Sequence, residues 1–235
     1  MRTIRIWISL GFLVISTTAI SAAEFRSVTL GDGTRIDFAV VLPPDFDADR
    51  TYPLLLALPP GRQDERMVRA GLSSYWEEAA RQLGFIFASP IAPEVMFFRG
   101  VERHVPAFLD EIGRILPIDG AVHLAGISNG GLSAFRIAGL YPPLFQSITV
   151  LPGFPPTGED RENLSKLKHM RITMFVGETD QPWRERSEET AQALRDLGVE
   201  VQLAVIPGEG HFLRSLAGAG IAPLITALKA ARFTE

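Results

Sequence analysis

Apolar and polar positions along this chain fall into two alternating kinds of block. Residues 54–58, 85–88, 121–125, 148–151, 172–176 and 199–206 are short runs dominated by apolar residues, rich in Val, Ile, Leu and Phe. Runs of that length and composition predict strands, and the unbroken ones predict strands buried on both faces, as in a parallel sheet. Between them the apolar positions recur at helical spacing. Residues 72–83 form one such segment, and Val105, Phe108, Leu109, Ile112 and Leu116 make a stripe on a second, with Pro106 suited to its first turn. Leu132, Phe135, Ile137, Ala138 and Leu140 predict a third helix, and a fourth near residues 185–197 ends at Gly198. A last helix is predicted over residues 213–231, with breaks around Gly218, Gly220 and Pro223. Ahead of all these, residues 25–30 and 35–42 flank Gly31-Asp32-Gly33-Thr34, a strong hairpin signal. Strands alternating with helices after an initial hairpin predict an α/β fold. Its expected form is three layers, with a mostly parallel sheet of about eight strands, an antiparallel N-terminal hairpin and helices on both faces.

No internal repeat, low-complexity tract or linker interrupts the pattern, so residues 24–235 read as one domain. Residues 153–170 are short for a lid, which predicts an open site. The first residues follow another logic. Arg2 and Arg5 precede the apolar run Ile6 to Ile15, and Ser21-Ala22-Ala23 closes the segment with small residues. That order describes a secretory signal peptide over residues 1–23, and with it a secreted or periplasmic protein. The apolar run is too short to span a bilayer, so no membrane span is expected once the leader is removed.

Composition narrows the picture further. At 46% hydrophobic and 21% charged residues, the chain has the balance of a folded domain. Its formal charge is −4, and losing residues 1–23 removes two arginines and no acid, which makes it −6. A basic nucleic-acid footprint is absent. The chain has no cysteine, which excludes disulfides and a cysteine-linked lipid anchor. No metal-ligand spacing, phosphate-cradling loop or dinucleotide fingerprint occurs, so no cofactor and no metal are expected.

Candidate chemistry gathers just after the predicted strands, where ligands bind in open α/β sheets. Gly126-Ile127-Ser128-Asn129-Gly130-Gly131 joins a predicted strand to a predicted helix. A G-x-S-x-G on such a sharp turn lifts the serine hydroxyl clear of the backbone. Residues 172–176 lead into Gly177-Glu178-Thr179-Asp180, and residues 199–206 lead into Pro207-Gly208-Glu209-Gly210-His211. A serine hydroxyl needs a base to become a nucleophile, neutral imidazole suits that task near pH 7, and a carboxylate fixes the imidazole tautomer. Ser128, His211 and Asp180 are accordingly the candidate nucleophile, base and orienting acid. Glu178 rivals Asp180, and Glu209 does so more weakly; Asp180 has the competing role of helix cap. His104 and His169 stand among polar residues, and His123 within an apolar strand. The backbone N–H of Asn129 is the first candidate oxyanion donor. The second comes from Pro59-Pro60-Gly61-Arg62, where proline has no N–H to give, leaving Arg62 first and Gly61 after it. Trp183, Phe212, Phe154 and Phe97, all in loops after strands, are candidate substrate contacts, and Arg62 and Arg184 are candidates for meeting an acidic substrate.

With these residues in view, the chain resembles the α/β-hydrolases. Within them it is similar to secreted esterases of the polyhydroxybutyrate depolymerase and feruloyl esterase group. The VLPPDFDADRTYPLLLALPPG segment, the GISNGG elbow followed by a helix and YPPLF, the GETD loop and the GEGHF loop carry the likeness. It implies an α/β-hydrolase fold, cleavage of a small or polymeric ester, and functional roles at Ser128, Gly131, Asp180 and His211. Such families usually read His-Gly where this chain has Pro60-Gly61. Two other readings stand beside the esterase. One is a small peptidase resembling the catalytic domain of prolyl oligopeptidases. The other is a binding protein that keeps the fold without the chemistry. Oligomeric state and acyl or alcohol preference are not written in the sequence.

Overall fold

The computed structural model describes residues 23–232. The expected leader lies outside these residues, Ala23 excepted. All eight strands join one sheet in the order β1-β2-β4-β3-β5-β6-β7-β8. β1 (Glu24–Thr29) and β2 (Arg35–Val41) form the hairpin, closed by Leu30 N–H donating to the Thr34 carbonyl at 2.8 Å. β2 runs antiparallel to β4 (Ile86–Pro90). From there β3 (Tyr52–Leu58), β5 (Ile118–Ile127), β6 (Ser147–Leu151), β7 (Arg171–Gly177) and β8 (Glu200–Ile206) are all parallel. The fold class read from the apolar pattern is the one observed.

Every residue of β3 is buried, because both faces of the sheet are covered. Leu54, Leu56 and Leu58 face the side packed by α3 (Val105–Ile115), α4 (Asn129–Leu140) and α6 (Gln181–Asp196). Leu55 and Ala57 face the other side, beneath α1 (Glu65–Gly71), α2 (Glu77–Leu83) and the C-terminal helix α7 (Ala222–Arg232). Each buried leucine contributes on the order of 2 kcal/mol. After β3 the chain crosses to β4 on one side, and later β5 returns to the other side of β3. This reversal opens a crevice beyond the carboxyl ends of β3 and β5, the general ligand position in open α/β sheets.

Three stretches differ from the sequence reading. The helix expected over residues 72–83 begins earlier, at Glu65, where Asp64 caps it by accepting the Met67 N–H at 3.0 Å. It also passes through a π-helical turn, Leu72–Trp76. The polar start of α1 hid it from an apolar count. The C-terminal helix starts at Ala222, and residues 213–220 instead form two 3-10 turns, Arg214–Leu216 and Gly218–Gly220. The apolar positions Leu213 and Leu216 are buried there without being helical, because the turns alone bring them inward. Residues 153–170 hold a short helix α5 (Gly158–Glu162) and a 3-10 turn, Asn163–Leu167. Leu164 and Leu167 pack into the core on the α4 side, and Arg136 of α4 holds buried Asp160 at 3.0 Å and Glu102 at 2.7 Å.

No helix among the described residues is long and apolar enough to cross a membrane.

Candidate active site

Ser128 stands between β5 and α4 with φ at +55° and ψ at −117°. Holding a non-glycine residue there costs on the order of 1–3 kcal/mol, which the packed surroundings must offset. The turn is this sharp because α4 is pressed against the sheet. A Cβ on Gly126 would lie 2.1 Å from the Gly130 carbonyl oxygen, and one on Gly131 would lie 2.2 Å from that of Pro152. Neither position tolerates a side chain. The Ser128 N–H donates to the Leu151 carbonyl at 3.2 Å, fixing the turn to β6.

The Ser128 hydroxyl lies 2.7 Å from His211 Nε2, and His211 Nδ1 lies 2.6 Å from Asp180 Oδ2. An ionised Asp180 places the imidazole proton on Nδ1, so Nε2 is left to accept from the hydroxyl. Proton removal from serine by a carboxylate-oriented base is what this line of atoms can perform. Asp180 precedes α6 at its N-cap but makes no capping hydrogen bond, its carboxylate being turned to His211. The rival acids are engaged elsewhere. Glu178 accepts the Gly208 N–H at 2.8 Å, and Glu209 accepts those of Arg214 at 3.2 Å and Ser215 at 2.8 Å. The Ser215 N–H, with help from Arg214, holds the Glu209 carboxyl below the usual carboxylate range. Both glutamates brace the histidine loop without facing the imidazole.

The other histidines have structural surroundings. His123 is buried, 2.9 Å from the Ser147 hydroxyl and stacked on Phe85. His104 is also buried, with Nδ1 3.4 Å from Asp32, and His169 lies 3.0 Å from the Pro142 carbonyl.

Opposite the elbow, the Asn129 side-chain amide donates to the Gly61 carbonyl at 2.9 Å. A trans peptide keeps C=O and N–H antiparallel, so this bond also fixes the direction of the Arg62 N–H. The N–H groups of Arg62 and Asn129 donate to no carbonyl among the described residues. Behind this turn lies a residue the sequence reading missed. Gln63 is completely buried with φ at +60°. Its amide nitrogen donates to the Pro59 carbonyl at 3.1 Å and to the Ser133 hydroxyl at 3.0 Å, and its oxygen accepts the Phe97 N–H at 2.6 Å. One side chain thus ties the loops after β3 and β4 to α4. A lone glutamine gives no sequence signal for such a role.

Trp183 packs edge-on to the His211 ring at 4.8 Å, with Phe154 4.9 Å beyond it and Phe212 on another side at 5.7 Å. Phe212 is 64% exposed, an unusual state for so large an apolar group. Phe97 differs from expectation: its ring is fully buried in the core and offers nothing to a ligand. Sequence position after a strand did not reveal which way the loop turns; its neighbour Met96 is the one that reaches Asn129. Arg184 is likewise committed, to Glu188 at 2.8 Å. Among the described residues no group of three or more His, Asp or Glu is placed to hold a metal ion.

The sheet order and the position of Ser128 beyond β5 define the α/β-hydrolase fold, and solved structures agree. A thermostable esterase superposes with TM-score 0.68 at 17% identity, over 91% of this chain and 63% of that one. A poly(3-hydroxybutyrate) depolymerase of Bordetella parapertussis gives 0.62 at 17%, over 87% and 95%. Dipeptidyl peptidase 4 of Porphyromonas gingivalis gives 0.65 at 16%, over 92% of this chain but 35% of that one. No family model and no curated protein matches the chain by sequence.

Proposed function

We propose that this protein is a serine hydrolase that cleaves carboxylic esters through an acyl-enzyme. The observation that carries the reading is the continuous hydrogen-bonded line from Ser128 through His211 to Asp180. In the first half-reaction Ser128 Oγ attacks the ester carbonyl while His211 takes its proton. The tetrahedral oxyanion is held by the N–H groups of Asn129, which opens α4, and Arg62; the positive end of the α4 dipole adds to this. His211 then protonates the departing alcohol. In the second half-reaction His211 activates water, which releases the acid and restores Ser128. Asp180 keeps Nδ1 protonated and stabilises the imidazolium in both. Pro60 supplies no N–H, but the anchored Gly61 peptide leaves that of Arg62 available, which supports catalysis over a binding-only role. The aromatic shelf of Phe154, Trp183 and Phe212 supplies apolar contact for the substrate. The leader-like residues 1–23 support work outside the cytoplasm.

The test is turnover of an ester panel beside matched amides, with Ser128→Ala as the control. Ester turnover lost in that variant is expected. Retained turnover would remove Ser128 from its role, and faster amide cleavage would favour a peptidase.

A further inference from the structure

Beside Ser128 the surface opens into a space that the bond-breaking steps do not use. A cleft of about 250 Å³ lies among Pro60, Gly71, Tyr75, Ile127, Phe212 and Arg214. Ile127 immediately precedes Ser128, Phe212 follows His211, and Pro60 begins the turn that carries Arg62. The cleft is thus lined by the chain neighbours of Ser128 and His211 and by Pro60 of the turn that carries Arg62. A dry cavity of roughly 150 Å³ accepts a benzene-sized molecule, so this one has room for about ten non-hydrogen atoms.

The walls show that the space is kept. Gly71 ends α1 with right-handed helical backbone, φ −64°, where alanine would be the better helix former. A Cβ there would sit 3.4 Å from both Ile127 Cδ1 and Trp76 Nε1, fitting tightly against side chains rather than backbone and filling the floor of the cleft. The next residues form the π-helical turn, a feature that often accompanies functional sites. From that turn the Tyr75 hydroxyl donates to the Leu213 carbonyl at 3.2 Å, tying the wall to the segment after His211.

Charge at the rim indicates what enters. Arg214 lines the cleft and makes no salt bridge or side-chain hydrogen bond among the described residues, though its charge is felt at Glu209. Glu209, the neighbouring acid, has both oxygens on backbone N–H groups. Arg66, one helical turn from the cleft-lining Ala70, and Arg62 also lack ion pairs among the described residues, while Asp64 caps α1 and Glu65 pairs with Arg69. Arg214 is the one charged residue among those lining the cleft.

We infer that the cleft is the subsite for one arm of the ester, and that this arm is apolar along its length and ends in a carboxylate received by Arg214. The inference rests on the hydrolase reading above. Its test uses matched pairs: 4-nitrophenyl hexanoate against mono-4-nitrophenyl adipate for the acyl arm, and hexyl acetate against 6-acetoxyhexanoate for the alcohol arm. In one pair the acid-bearing member is expected to have about tenfold higher kcat/KM, the scale of one charge-assisted contact. Arg214→Gln should abolish that preference while leaving the neutral ester within about twofold. Gly71→Val should raise KM for the six-carbon arm and spare 4-nitrophenyl acetate. No charge preference in either pair, or a preference that survives Arg214→Gln, would overturn the inference while leaving the hydrolase intact. Absence of turnover on every ester by the folded protein would instead overturn the hydrolase reading and this inference with it.

Discussion

Replacing Gln63 by leucine tests how firmly the turn opposite Ser128 is held. The glutamine is fully buried, and its amide is the hydrogen-bond partner of both the Pro59 carbonyl and the Phe97 N–H. Leucine fills similar volume but leaves those two backbone groups orphaned in the interior, at about 1–3 kcal/mol each, while Ser133 keeps its bond to the Asn129 carbonyl at 3.0 Å. The expected loss is therefore about 2–6 kcal/mol, a large share of the 5–15 kcal/mol typical of a domain. Urea unfolding of Gln63→Leu measures it directly. In the protein that remains folded, kcat should fall by up to about 10²-fold with KM little changed, since the oxyanion donor proposed for this loop loses its alignment. Gln63→Glu adds a sign. A neutral carboxyl can still donate to the Pro59 carbonyl, whereas a carboxylate there sets oxygen against oxygen in a buried site. The folded-state pKa of the introduced acid is then raised, so its stabilisation is present below the ordinary carboxylate range and lost as pH rises. Loss of less than about 0.5 kcal/mol in Gln63→Leu, or stability of Gln63→Glu that rises with pH relative to wild type, would refute the reasoning.

Further predictions follow from other contacts. Asp180→Asn should leave the fold intact and lower kcat by about 10⁴-fold, read from steady-state ester hydrolysis, because the carboxylate that holds the imidazole tautomer is gone. Arg136→Ala should destabilise by about 3–5 kcal/mol in thermal or urea unfolding, since it strands Asp160, whose side chain is 0% exposed, together with nearly buried Glu102. Gly131→Ala brings a methyl to within 2.2 Å of the Pro152 carbonyl oxygen, and is expected to displace the elbow, seen as lost turnover in whatever fraction folds. The Glu209 carboxyl is held below its usual range, first by the Ser215 N–H, so its hold on the histidine loop is present above the ordinary carboxylate pKa and lost as pH falls through the lowered value. Protection from hydrogen exchange at the Arg214 and Ser215 amides, measured against the intrinsic rate at each pH, should fall below that range, and Glu209→Gln should flatten the dependence.

The sheet was legible because its central strands, such as residues 54–58, are apolar on both faces and can lie nowhere else. The elbow was legible because glycines flank a serine where strand meets helix, and close backbone approach at Gly126 and Gly131 is what requires them. Boundaries were lost where polarity and burial part company. α1 opens on charged residues, and Leu213 and Leu216 reach the core from 3-10 turns that mimic helical spacing. The choice among Asp180, Glu178 and Glu209 depended on where each carboxylate turns, which spacing does not encode. Phe97 failed as a contact for the same reason: a loop position does not state its direction. Gln63 left no trace in the pattern, being one amide whose partners are three backbone or hydroxyl groups far apart in sequence.

The central claim is that Ser128 is a nucleophile activated by His211. Reaction with a fluorophosphonate probe, followed by mass mapping of the modified residue, tests it most directly. The account predicts a single adduct on Ser128, absent in Ser128→Ala and formed far more slowly in His211→Ala. A folded protein that stays unlabelled, or an adduct on another residue, would contradict it.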